Sequence, residues 1–239
     1  MTTWDISETR SLIQRIFGKK QAEVACPCIR SVIDRQDFAR YHLYEANSLL
    51  QRFQRRHLPG DTSLIDVTIG ADSRGQMAFQ RFIIKAAAHV TACVQSVHAI
   101  PDILANAMYY SAGMNLGSNP LSETKIALKN VTSKLLADHR FRSVGAVLKE
   151  IPLAPNHAHL SAVANLSKHS NIVKTSLSED WTGKRANYHE LRLSSFEREG
   201  KHFPEIQVVS LVAPVYDNLS RQVVDAGSRL NAALQEIAP

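Results

Sequence analysis

The chain has 239 residues, 44% of them hydrophobic, which is ample for a core and unlike the composition of a disordered or fibrous protein. Lys and Arg outnumber Asp and Glu 28 to 22, a formal net charge of +6 that favours acidic partners such as RNA or a nucleotide. Three cysteines, an odd number, and a start (Met1–Glu8) without a charged-then-apolar leader argue against a secreted disulfide framework and point to a cytoplasmic protein.

Ile6, Leu12, Ile13, Ile16 and Phe17 recur at helical spacing and predict a short amphipathic helix that stops at Gly18. Cys26-Pro-Cys28 reads as a Pro-marked connection with two partly buried thiols. A Cys-x-Cys pair serves a metal only when other ligands converge on it, and no second pair exists, so neither a metal nor another cofactor is expected. From Asp34 or Asp37, residues Phe38, Tyr41, Ala46, Leu49, Leu50 and Phe53 predict a second helix that ends before Leu58-Pro-Gly. Its last turns carry Arg52, Arg55, Arg56 and His57, which either answer the helix dipole or bind phosphate.

Residues 58–77 read as a long ordered loop with a short strand at Leu64–Ile69. The longest apolar run follows, predicting a helix from Met77 to Ser111 that Pro101 kinks. His89, Gln95, His98 and Asp102 make membrane insertion of this run costly, so it reads as the core helix of a protein without a membrane partner. Further helices are expected from Ser122 through Leu136, over 142–151, and over 159–173 beyond Pro152-Leu-Ala-Pro155. Alternating segments at Lys174–Leu177, His189–Phe196 and Ile206–Ser210 predict short strands, and a last amphipathic helix covers 215–237. The fold is therefore expected to be mainly α: one domain over 1–239, a helical bundle core at about 34–173, and a small β excursion at about 174–210 before the C-terminal helix.

Two sets of polar residues stand out. Gln95, His98, Asp102, Asn106 and Tyr109 fall within an arc of about 80° on the long helix, a polar seam on an apolar rod. His98 and Asp102, four apart, form a pair in which a carboxylate can orient an imidazole for general-base work. The seam is either a buried structural network or a functional pocket. Ser161, Asn165 and His169, again four apart and with Lys168 beside the last, line a face of the 159–173 helix, and an antiparallel neighbour carrying His98 and Asp102 would gather both sets. Gly-x-Ser-x-Gly and phosphate-loop motifs are absent.

A basic helical bundle with the string Asn165-Leu-Ser-Lys168-His169 late in its core resembles the HEPN superfamily over roughly residues 34–173. That resemblance implies either a nucleotide-binding module or a metal-independent ribonuclease, whose usual signature is an Arg, four to six residues, then a His. Asn165 stands where that signature has Arg. Arg35 to His42 and Arg52 to His57 match its spacing, and only the first pair, seven residues apart, returns to one helix face. Two functions are carried forward: a non-catalytic module binding a protein, nucleotide or nucleic acid, and a HEPN-like ribonuclease. In the second, His169 or His98 takes the proton of a ribose 2′-hydroxyl, Lys168 or an Arg stabilises the phosphorane charge, Asp102 and Asn165 complete the catalytic set, and Gln95, Asn106, Tyr109, Arg35 and His42 hold substrate. A two-fold homodimer is a further expectation.

Overall fold

A computed structural model describes residues 3–60, 62–70 and 72–238. The chain is 71% helical, with a small antiparallel sheet ahead of the last helix, as the hydrophobic patterning predicts. Among the described residues the helices are α1 (Ile6–Phe17), α2 (Lys19–His57), α3 (Leu64–Thr68), α4 (Ser73–Ser111), α5 (Leu128–Ala137), α6 (Arg142–Glu150), α7 (His157–His169) and α8 (Val208–Ile237). The strands are β1 (Thr175–Glu179), β2 (His189–Leu193), β3 (Phe196–Arg198), β4 (Lys201–Phe203) and β5 (Ile206–Gln207).

Four boundaries correct the sequence reading. Cys26-Pro-Cys28 is no connection: α1 ends at Gly18, which adopts φ 86°, and α2 begins at once and runs through Pro27. An interior proline costs a helix about 3 kcal/mol, and here the buried stripe of Ala22, Ala25, Ile29 and Val32 offsets it. Leu64–Thr68 is a helical turn rather than a strand, because Ser63 and Asp66 form a reciprocal capping box. Positions 61 and 71 of the expected loop lie outside the described residues. α7 ends at His169, four residues short of the expected Val173. The expected strand at Ile206–Ser210 pairs only at Ile206 and Gln207, and α8 starts at Val208 and passes through Pro214, burying Val208, Leu211 and Val212.

Contacts group the chain into two compact units. The first gathers Met1–Asp37, Val97–His157 and Val215–Pro239. In it α1 meets α8 where Thr9 Oγ1 lies 2.6 Å from Asn231 Oδ1, and Asn231 Nδ2 donates to the Asp5 carbonyl at 2.8 Å. Gln21 Nε2 donates to the Tyr110 carbonyl and to Asn115 Oδ1, tying α2 to the end of α4. α5 and α6 approach closely at Gly145, where an added Cβ would stand 2.8 Å from the Leu136 main-chain nitrogen.

The second unit gathers Phe38–Ser96 and Ala158–Pro214. Contacts Ala39 with Cys93, His42 with His89, and Phe53 with Phe82 and Phe79 run in opposite directions along the two helices, so α2 and α4 are antiparallel here. Its three-stranded sheet has the order β1-β2-β5, with Thr175 opposite Leu193 and Glu179 opposite His189, and buries Leu177, Leu191 and Leu193. β3 and β4 form a hairpin whose two turn residues, Glu199 at φ 52° and Gly200 at φ 73°, both adopt the left-handed conformation that a tight hairpin turn needs.

Candidate functional site

In the first unit the polar seam is turned toward the segment that follows α4. Asp102 Oδ1 accepts the main-chain N–H of Leu128 at 2.9 Å, Asn106 Nδ2 donates to the Ile126 carbonyl at 3.1 Å, and the buried Tyr109 hydroxyl accepts from Leu121 N–H at 2.8 Å. Each of the three therefore holds the main chain of the connection leading into α5. His98 is half-buried on the same helix, as is Arg35 on α2 of this unit.

The second unit holds the other expected residues. Ser161 and Asn165 on α7 line a cleft of about 390 Å³ that the β3–β4 hairpin closes with Arg198, Lys201 and Phe203. Lys168 and His169 follow Asn165 by three and four residues and are exposed in the last turn of α7. Behind the cleft, His159 packs its ring 5.2 Å from that of Phe203 and 5.8 Å from that of Phe196, which stack on one another at 4.9 Å. Burial pushes the His159 imidazole below its ordinary pKa, favouring the neutral ring. Arg198 binds Glu199 at 3.0 Å, and Lys201 adds a second cation at the cleft mouth.

His42 belongs to the same unit. Its Nδ1 lies 3.0 Å from Nδ1 of His89, so one ring donates and the other accepts, and the ring of Tyr41 meets both edge-on at 5.2 and 6.2 Å. Burial, aided by the neighbouring His89, lowers the pKa of His42. Gln95 is half-buried further along α4. Flanking this pair, the outer surface of α2 exposes Phe38 (51%), Tyr41 (56%) and Tyr44 (68%) together with Arg40, Arg52, Arg55 and Arg56. One and two turns back from His89 along α4, Lys85 and Arg81 are exposed, beside Ile84. Within this surface Glu45 lies 3.7 Å from Arg52, and Asp37, just before Phe38 on α2, is exposed.

Such a surface offers flat rings to planar ligands and guanidinium groups to phosphates. Among the described residues no three His, Cys, Asp or Glu side chains gather as a metal would require. The sequence reading gave His89 no site role, because its partner His42 lies on another helix 47 positions away. It also missed Arg198 and Lys201, although Glu199-Gly200 between two short alternating segments is a hairpin signal. Comparisons with protein-family models, with curated proteins and with solved structures find no match to this chain.

Proposed function

We propose that the protein is a non-catalytic binding module for single-stranded RNA, carried on the exposed face of α2 and α4 in the second unit. The observation behind this reading is the set of three exposed aromatic rings, Phe38, Tyr41 and Tyr44, interleaved with arginines. Large rings left in water forgo about 2–3 kcal/mol each of burial, and stacking on a base returns about 1–3 kcal/mol per ring without asking for a particular sequence. The arginines and Lys85 supply the phosphate contacts, and the net charge of +6 draws a polyanion from a distance. An isologous dimer through this face would set the arginines of each copy against those of the other, so the charge favours an acidic occupant over a second copy. Arg198 and Lys201 beside Asn165 offer a further phosphate contact within the same unit.

The test is the binding of a labelled oligo(U) by fluorescence anisotropy. Tyr41→Ala with Tyr44→Ala, and separately Arg55→Gln with Arg56→Gln, should each weaken binding by about tenfold or more while the melting temperature stays unchanged. Wild type that fails to bind at low salt, or variants that bind as well as wild type, would sink the reading.

A second reading, a metal-independent ribonuclease, draws on the His42–His89 pair beside this cationic surface. A neutral imidazole bonded to another is equipped to take a proton from a 2′-hydroxyl. Cleavage of RNA in EDTA that His42→Ala abolishes would replace the binding reading with this one.

A further inference from the structure

A second feature of the same unit lies where β5 ends. β5 is two residues long and pairs only with Arg192 and Leu193, so His189, Glu190 and Leu191 have β1 on one side and, among the described residues, no strand on the other. The Tyr188 carbonyl accepts from Asp180 N–H on the β1 side, and alternation along the strand turns the main-chain N–H groups of His189 and Leu191 to the open edge. A cleft of about 260 Å³ lies along that edge, and α2 forms its opposite wall.

The α2 wall is lined by Asn47, Gln51 and Gln54, with Gln207 closing one end. Spacings of four and three put these amides on one helix face. From Asn47 to Gln54 is two helical turns, about 10.5 Å, and three residues of extended chain span about 10 Å. The unpaired stretch of β2 is three residues long, so both walls have the length of one short strand segment. Each carboxamide presents a donor and an acceptor, the complement of a peptide main chain. No Lys or Arg lines the cleft, and Glu190, 5% exposed, faces it while bonded to Arg192 at 3.0 Å. His189 is fixed from behind by Glu179 Oε1 at 3.2 Å. This lining repels a carboxylate and accepts a neutral or cationic group.

We infer that this cleft takes an extended peptide of neutral or basic sequence, which adds as a strand to the open edge of β2 while the α2 carboxamides bond its far edge. This is strand addition, in which main-chain pairing gives affinity, and here the charge of the lining adds selectivity. The inference is independent of RNA binding on the α2–α4 face.

The probes are the capped octapeptide (Lys-Thr-Val-Thr)₂, its counterpart with Glu in place of Lys, and two versions of the first N-methylated at odd or at even positions. Binding is read from amide chemical shifts of the full-length protein. The basic peptide should shift the His189 and Leu191 amides, and the acidic one should bind about tenfold or more weakly. Methylation in one of the two registers should abolish the shifts, because only one edge of the peptide faces β2. Gln51→Ala with Gln54→Ala should weaken binding by about tenfold at an unchanged melting temperature, the loss of one or two hydrogen bonds. The inference is overturned if about 1 mM basic peptide leaves both amides unmoved. It is equally overturned if both methylated versions bind like the parent, or if oligo(U) shifts the same two amides and the peptide does not.

Discussion

Asp102 Oδ1 accepts the N–H of Leu128, 26 residues further along the chain, and so caps the first turn of a helix to which it does not belong. The residue in the capping position of α5 itself is Ala127, whose side chain can bond nothing. A carboxylate at that end also meets the positive pole of the helix dipole. Asp102→Ala should therefore cost about 1 kcal/mol in urea unfolding, and Asp102→Asn, which keeps an acceptor, less. Binding of oligo(U) should be the same in both variants as in wild type. A variant of unchanged stability that loses RNA would return Asp102 to the functional set.

Gly227 sits inside α8, where glycine costs about 1 kcal/mol relative to alanine. The indole of Trp4 explains its presence: a Cβ at 227 would stand 2.1 Å from the ring. That ring is held by its Nε1 donating to Thr9 Oγ1 at 2.7 Å and cannot step aside without losing the bond. Gly227→Ala should thus destabilise by about 1–3 kcal/mol, since overpacking outweighs the propensity gain. In a Trp181→Phe background, which leaves Trp4 as the only indole of the two, its emission should shift to the red. Adding Trp4→Ala should restore the stability, and a double variant no more stable than Gly227→Ala alone would show that the ring is not the obstacle.

Local patterning explains which parts of this fold could be read from the sequence. The periodicity of Ile6–Phe17 gives α1 to the residue, His57 and Ser111 end their helices where Leu58-Pro-Gly and Gly113 follow, and the alternation around Leu177 and Leu191 gives the strands that pair. The errors fall where tertiary burial overrides a local breaker. Pro27 and Pro214 each signal an end, yet α2 and α8 run on because the apolar stripes of Ile29 and Val32, and of Leu211 and Val212, are fully covered. At Leu64–Thr68 the opposite occurred: the Ser63 and Asp66 capping box was present in the sequence and outweighed β-prone Ile65 and Val67. Helical wheel geometry placed Asp102, Asn106 and Tyr109 on one face, where the structure has them. The partners of that face, main-chain groups of Leu121, Ile126 and Leu128, leave no trace in side-chain identity. The same limit hid the meeting of His42 with His89.

RNA binding on the α2–α4 face should divide into two separable parts. On a single strand, each phosphate that a cationic side chain neutralises adds about 0.7 to the steepness with which log affinity falls against log salt. Arg55→Gln with Arg56→Gln should therefore flatten the slope by about 1.4, whereas Tyr41→Ala with Tyr44→Ala should weaken binding at every salt concentration and leave the slope as it was. Equal slopes in all three proteins would assign the arginines to the helix dipole alone.

Acid should weaken the fold in two stages, and the sign follows from the direction of each shift. Burial and the adjacent His89 lower the pKa of His42, and burial lowers those of His157 and His159. As pH falls through the ordinary histidine value of about 6.5, the unfolded chain takes up these protons before the folded one does, so stability is lost from there down to the folded values. Asp138, held down by its hydrogen bond from Arg140, and Asp180, lowered to about 2 chiefly by the Thr182 hydroxyl, act later. Their contribution is complete above the ordinary carboxylate range and disappears as pH falls through their folded values. Urea midpoints should thus drop as pH falls through about 6.5, and drop again below about pH 4. His42→Asn should start from a lower midpoint, having lost its bond to His89, and fall less across the first stage; a wild-type midpoint that stays flat as pH falls through about 6.5 would show that the bonded pair carries no proton-linked stability.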